Sequence, residues 1–294
     1  MPPVLTGLAL RLERRTSRVP RWLRSRRSGV RSVRREDLVL VSDAGYQIHA
    51  RLHLPVSSAQ RTDANARPAV LLCPGIDDPG SVFEGYGPPI AADEVARLGA
   101  ICMHFDPSGR GRSWGPEDFG GLEHQDDVRT ALRYLLGRPD VVPSRSGVVS
   151  ISLGVSMAVG ALAGIPQECQ PSWLVDWEGP CDREIITAGG KIMDPAMGHG
   201  LEDEAYWQPR EAVRHVGRLA CGYFRFQAHR DHAQPGEYRH AERMIRAASQ
   251  GDLPWFQLND HPRNTIPEHP EYFTSGYRAA NRILLRKIAG FAAL

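Results

Sequence analysis

The sequence predicts an α/β protein built on a doubly wound, mostly parallel sheet, and three observations carry that prediction. Short, continuously apolar runs such as "PAVLLCPG" (68–75), "AICMHFD" (100–106) and "SGVVSI" (146–151) suit strands buried on both faces. Between such runs lie segments with apolar residues at helical spacing. One is "PIAADEVARLG", ending on Gly99; another is "HQDDVRTALRYLLGRPDV", with Val128, Leu132 and Leu135 on one side. The length of 294 residues, 41% hydrophobic and 24% charged, supports a large core without disulfide or metal staples.

In chain order, "DLVLVSDAGYQIHARLHLP" reads as a hairpin turning at Asp43-Ala44-Gly45, and "VSSAQRTDANAR" reads as a loop. The alternation then supplies strands at 68–75, 100–106 and 146–151, followed by "SWLVDW" (172–177), "YFRFQA" (223–228) and "PWFQLN" (254–259). Residues 178–220 interrupt it. They are long, rich in glycine and acids, and hold Trp207; a span of this kind between two strands reads as an inserted lid or pocket wall.

Charge divides the chain unevenly. Residues 1–35 hold 11 arginines and one acid, Glu13, so of 36 basic and 34 acidic residues in all, 25 basic and 33 acidic remain from Glu36 onward. The segment 1–35 reads as a basic, solvated arm, and its composition also suits contact with an anionic surface or an organelle transit peptide. A secretory signal fits poorly, because "VLTGLALRL" is short and its positive charges follow it. The acidic body, 36–294, argues against nucleic-acid binding. Five cysteines, Cys73, Cys102, Cys169, Cys181 and Cys221, with no CxxC spacing, read as reduced thiols of a cytoplasmic-type protein.

The stretch "GVVSISLGVSMAVGALAG" (147–164) offers three serines in an apolar run. β-Branched Val148, Val149 and Ile151 favour a strand, and Met157, Ala158, Ala161, Leu162 and Ala163 favour a helix. A sharp strand-to-helix turn holds a serine hydroxyl at the tip of a sheet, and needs small residues two positions either side. Two registers compete, "SISLG" centred on Ser152 and "GVSMA" centred on Ser156. The apolar strand ends at Ile151, which puts the turn on Ser152, leaves Ser150 inside the strand and makes Ser156 a packing residue one helical turn later.

From Glu36 onward the chain resembles the α/β-hydrolase superfamily, in its dienelactone-hydrolase and prolyl-oligopeptidase-like branch. The resemblance rests on the order and spacing of "LLCPGIDD", "HFDPSGRGRS", "HQDDVRTALRYLLGRPDVVPSRSGVVSISLG" and "FQAHRDHAQP". It implies a hydrolase of small-molecule esters, or of amides or peptides, that works without a cofactor. It places the nucleophile at Ser152, the orienting acid at Asp231 and the base at His261, with Asp176 as rival acid and the N–H groups of Leu153 and Ile76 as oxyanion donors. Asp77, Glu178 and Trp207 are candidates for the pocket; acids at 77 and 78 beside the oxyanion donors would disfavour anionic substrates, while their more ordinary reading is that they face solvent and cap the next helix. Asp106 belongs to a turn the family uses structurally, Asp127 reads as structural, and Arg110 and Arg112 read as a solvated turn. Two alternatives stand beside this reading. Ser150 and Val155, where the family often has glycines, suit a hydrolase-like scaffold that binds without turnover. His229, Asp231 and His232, with His261 or Asp260, suit a metal-dependent hydrolase.

Overall fold

β-Branched and aromatic runs form eight strands that hydrogen-bond into one sheet in the order β1-β2-β4-β3-β5-β6-β7-β8. The computed structural model describes residues 30–57, 66–85, 90–188, 198–232, 238–275 and 280–293. The strands are β1 (Val30–Val41), β2 (Gln47–Ser57), β3 (Ala69–Cys73), β4 (Ile101–Phe105), β5 (Gly147–Ile151), β6 (Trp173–Trp177), β7 (Gly222–Phe226) and β8 (Phe256–Leu258). β1 and β2 form the antiparallel hairpin expected from its turn, β2 pairs antiparallel with β4, and the remaining pairs are parallel.

Alternation along each strand builds a core on both faces. Leu71, Met103, Val148, Leu174 and Tyr223 pack under α2 (Leu122–Leu136), α3 (Gly154–Ala163) and α6 (Arg239–Ser249). Val70, Leu72, Cys102, Val149, Val175 and Phe224 pack under α1 (Ala92–Leu98) and α7 (Ala280–Phe291). The insertion contributes α4 (Arg183–Ala188), α5 (Glu204–Trp207) and three 3-10 turns between residues 208 and 218; residues 189–197 lie outside the described residues.

The strand begins earlier than the composition suggests. β1 starts at Val30, so the last residues read as a basic arm are paired with β2, Val33 opposite Pro55 and Arg35 opposite His53. On an edge strand the cationic side chains keep water or acid partners, as Arg34 does with Glu36 and Arg35 with Asp93, so charge does not oppose pairing there. Residues 1–29 lie outside the described residues. The 18-residue apolar stretch is divided between β5 and α3, and among the described residues no helix is long and apolar enough to cross a membrane.

The crossing from β4 to α2 is held by buried polar groups. Asp127 accepts the Ser108 N–H at 2.7 Å and its hydroxyl at 3.0 Å, and Asp106 accepts the Gly80 N–H at 2.8 Å. His124 is fully buried; its Nδ1 accepts from Gly120 N–H at 3.1 Å, so Nε2 donates to the Ser108 carbonyl at 3.0 Å. This arrangement needs the neutral ring, and burial pushes its pKa down from 6.5 to about 4. Between those values the unfolded chain binds the proton and the folded chain does not, so stability falls as pH falls. Urea unfolding at pH 7 and pH 5 is expected to show His124→Gln losing about 2 kcal/mol less than the parent over that interval. Equal losses would contradict this assignment.

Candidate functional site

Four loops leaving the parallel strands at one edge carry a non-glycine residue in the left-handed region. They are Asp77 (φ 40°) after β3, Ser152 (φ 50°) after β5, Glu178 (φ 51°) after β6 and Asn259 (φ 51°) after β8. Asp and Asn enter this region more readily than other non-glycine residues, whereas for Ser152 and Glu178 it is uncommon, and such backbone concentrates where a site requires a particular side-chain direction. Ser152 occupies the turn into α3, as the strand's end at Ile151 predicts. Its N–H donates to the Trp177 carbonyl at 3.0 Å, which ties the turn to the end of β6. Ser150 and Ser156 are fully buried, the first in the strand and the second in the helix. A Cβ on Gly154 would meet the Pro74 carbonyl at 2.4 Å, so the residue two places after Ser152 has to be glycine for β3 and α3 to pass. Two places before it, Ser150 is accommodated, its hydroxyl reaching the Val175 carbonyl at 3.4 Å.

The loop after β3 lies directly against Ser152. A Cβ on Gly75 would stand 3.4 Å from the Ser152 Cβ and 3.1 Å from Asp78 Oδ2. Arg110, expected in a solvated turn, is instead buried. Its Nη1 donates to the Gly75 carbonyl at 2.5 Å, while Nε and Nη2 each hold Glu117 at 2.6 Å, so it fixes the loop. Among the described residues no hydrogen bond takes the N–H of Ile76 or of Leu153, the two amides flanking the serine. Burial, with the charge of Asp77, raises the Asp78 carboxyl above its usual range, while Arg110 and His232 act in the opposite direction. Leu153, Ile186 and Trp207 form a small apolar cluster with Ile76, Phe119 and Tyr206 against it, so the insertion packs on both amide-bearing residues. Trp207, expected to line a pocket, is fully buried, its Nε1 donating to the Gly200 carbonyl at 2.8 Å.

Beneath the edge runs a buried polar network. Asp176 and Arg225, both without exposure, pair at 2.6 Å; Asp176 also accepts from Tyr223 Oη at 2.7 Å and Gly179 N–H at 3.0 Å. Arg225 reaches the Gly179 carbonyl at 2.8 Å, Gln227 Oε1 at 2.7 Å and His240 Nδ1 at 3.2 Å. Gln227 Nε2 then donates to Asp231 Oδ2 at 2.7 Å, and His240 Nε2 stands 3.2 Å from the same oxygen. Asp176, the rival acid, is thus engaged by Arg225 and orients no base.

Above this network stands an imidazole that the sequence reading assigned only to a metal. His232 Nδ1 lies 2.9 Å from Glu178 Oε2 and 3.5 Å from Asp231 Oδ1, and its ring stacks on Trp177 with centroids 4.7 Å apart. Glu178 is buried and its other oxygen accepts the Ala228 N–H at 2.8 Å. Trp177 links this imidazole to the serine turn: its carbonyl accepts the Ser152 N–H at 3.0 Å and its ring stacks on His232. The His232 side chain is 31% exposed, so it is open to a substrate.

His261 is placed elsewhere. Its ring Nε2 meets the Tyr272 carbonyl at 3.1 Å, and among the described residues no hydrogen bond or ion pair joins it to Asp231 or Ser152. The reason is local. Asn259 turns the chain back so that Asn264 N–H donates to the Phe256 carbonyl at 2.8 Å, and Ser275 pairs with Ala228 at the end of β7, between the two loops. His229 is exposed and outside the cluster in which Glu178, Asp231 and His232 bring ligand atoms within 4.8 Å of one another. Asp77 is exposed, and Asp260 lies 3.3 Å from Lys287 Nζ. The missed signal was Glu178 itself, a carboxylate placed at the first position after a buried strand.

Removing one member of the Asp176–Arg225 pair leaves a charge uncompensated in the interior. Asp176→Asn is expected to lower unfolding free energy by about 3–5 kcal/mol in urea titration. A loss under about 1 kcal/mol would mean that the pair does not hold the edge together.

No family model matches the chain, and no curated protein matches it by sequence. Solved structures do match. The esterase Pf2001 of Pyrococcus furiosus aligns with a TM-score of 0.58 at 15% identity, over 99% of this chain and 96% of that one. An acetyl xylan esterase from Paenibacillus sp. R4 aligns with a TM-score of 0.58 at 16% identity, over 88% and 84% of the two chains. A puromycin-hydrolysing peptidase of Mycobacterium tuberculosis aligns at 0.61 and 18% identity, over 89% of this chain but 38% of its own. The strand order, the β5–α3 turn and these likenesses together show that the chain has the α/β-hydrolase fold.

Proposed function

We propose that the protein is a serine hydrolase that cleaves a small-molecule carboxylic ester through an acyl-enzyme on Ser152. The observation that carries the reading is the Ser152 backbone, held at φ 50° on the turn between β5 and α3 with two unengaged amides beside it. The Ser152 hydroxyl attacks the ester carbonyl carbon while His232 accepts its proton. The developing oxyanion is taken by the N–H groups of Leu153 and Ile76, aided by the positive end of α3. Collapse expels the alcohol, which receives the proton from His232, and water repeats the sequence to release the acid. Glu178 orients the imidazole, and Asp231 adds a second carboxylate on the same side. The hydroxyl has no hydrogen-bond partner among the described residues, and the contact with the base is expected to tighten in the substrate complex.

The resemblance suggested Asp231 and His261 as the acid and base; His232 with Glu178 is preferred because that pair is in contact and next to the serine turn. A fluorophosphonate probe is expected to label the parent and not Ser152→Ala. With nitrophenyl esters, Ser152→Ala and His232→Ala are each expected to lose about 10³-fold or more in kcat, and His261→Ala less than tenfold. The reverse order of the two histidine variants would restore the Asp231–His261 assignment. Absence of Ser152-dependent labelling would favour a binding scaffold.

The grouping of Glu178, Asp231 and His232 favours a second reading, a metal-dependent hydrolase. It requires activity that chelators abolish and Ser152→Ala leaves intact. On the serine reading, the acids at the mouth of the oxyanion site select neutral acyl groups. A neutral acetyl ester is expected to outpace a dicarboxylic half-ester, and Asp78→Asn to narrow that gap by roughly fivefold in kcat/KM, about 1 kcal/mol.

A further inference from the structure

Away from the serine, on the α1 side of the sheet, His53 of β2 and His104 of β4 lie beside Glu84, which follows the 3-10 turn Gly80–Phe83 after β3. Both histidines are about nineteen-twentieths or more buried, with ring centroids 5.2 Å apart. One ligand atom from each of His53, Glu84 and His104 lies within 4.8 Å of the others. We infer that these three residues form a binding site for a divalent transition-metal ion of the Zn²⁺ class.

The hydrogen bonding supports it. His53 Nδ1 meets Asp93 Oδ1 at 2.7 Å, an arrangement that puts the ring proton on Nδ1 and leaves a lone pair on Nε2. That Nε2 is buried and has no partner, and neither ring nitrogen of His104 has a hydrogen bond. His104 Nε2 nevertheless stands 2.9 Å from Glu84 Oε1, close enough for an ion pair but off the direction a ring N–H needs. Two lone pairs that approach without pointing at each other suit two ligands of one ion. Orphaned buried imidazole nitrogens are costly, and an ion satisfies His53 and His104 together.

The surroundings orient the donors. Arg51 holds Glu84 Oε2 at 2.6 Å, leaving Oε1 for the ion, and also pairs with Asp37 at 2.6 Å; Arg35 pairs with Asp93 at 2.6 Å. With neutral rings, the carboxylates of Asp37, Glu84 and Asp93 are matched by the guanidinium groups of Arg35, Arg51 and Arg97, the last 3.6 Å from Asp93 Oδ2. A Cβ on Gly80 would come within 2.6 Å of His104 Nδ1, so the loop closes tightly over this ring. Imidazole with carboxylate favours zinc, cobalt or nickel over calcium or magnesium. Glu84 follows the 3-10 turn Gly80–Phe83 in the connection from β3 to α1, so a bound ion braces the segment nine residues after Gly75. The site does not depend on the hydrolase reading.

The test titrates chelator-stripped full-length protein with Zn²⁺ in competition with a chromophoric chelator, and with Co²⁺ followed by its visible d–d absorption. One equivalent is expected per chain, with His53→Gln and Glu84→Gln each weakening binding at least 100-fold. Glu84→Gln, at a partly exposed position, keeps the test valid if the buried histidine variant does not fold. His232→Ala, which breaks the other cluster, is expected to leave that equivalent in place. Stoichiometric binding that survives Glu84→Gln, binding lost only with His232→Ala, or no binding at all would overturn the inference.

Discussion

The buried pairing of Asp176 with Arg225, across β6 and β7, is the constraint on which the candidate site's edge of the sheet depends. Two full charges with no solvent exposure are stable only if every remaining donor and acceptor finds a partner, and most of them do so at the ends of β6 and β7. Gly179, Gln227 and His240 engage the two Nη groups of Arg225 beside Asp176, which fixes the path of the chain on either side of Glu178 and Asp231. A hydrophobic pair in the same place would also hold two strands together. It would not specify where two carboxylates stand, one and two strands from the serine turn.

Strain at the sheet edge is the second requirement. Ser152 and Glu178 both adopt left-handed backbone, and each is restrained by a hydrogen bond from its own N–H to the neighbouring strand, to Trp177 and Phe226 respectively. The serine is therefore presented by the scaffold, with Gly154 permitting the close passage and Arg110 fixing the opposite loop through Gly75. Buried Arg110 with its partner Glu117, together with the Asp106 and Asp127 bonds, braces the β4–α2 crossing against that loop.

Much of the fold was legible in residue pattern. The eight strands fall where apolar runs and the Asp43-Ala44-Gly45 turn placed them, because strands buried on both faces leave continuous hydrophobic segments. Ser152 was chosen over Ser150 and Ser156 by where the strand had to end, and the left-handed turn stands there. Local pattern misjudged residues whose role depends on distant partners. Val30–Arg35 looked like a solvated arm because edge-strand arginines carry no strand signature. Arg110 looked exposed because the carbonyl it serves is 35 residues away, and Arg225 gave no sign of its ion pair from within "YFRFQA". His261 follows β8 at the expected distance, yet the reversal at Asn259 and the pairing of Ser275 with Ala228 turn it aside. His232 and Glu178, 54 residues apart, meet only through the sheet.

The account stands or falls on which imidazole faces the serine. Its most direct test is a crystal structure of the protein inactivated with an organophosphate such as paraoxon. The prediction is a phosphorus–oxygen bond to Ser152 Oγ, the phosphoryl oxygen on the Leu153 and Ile76 amides, and His232 within hydrogen-bonding distance of the adduct with Glu178 behind it. An adduct facing the His261 ring, or no adduct on Ser152, would contradict it.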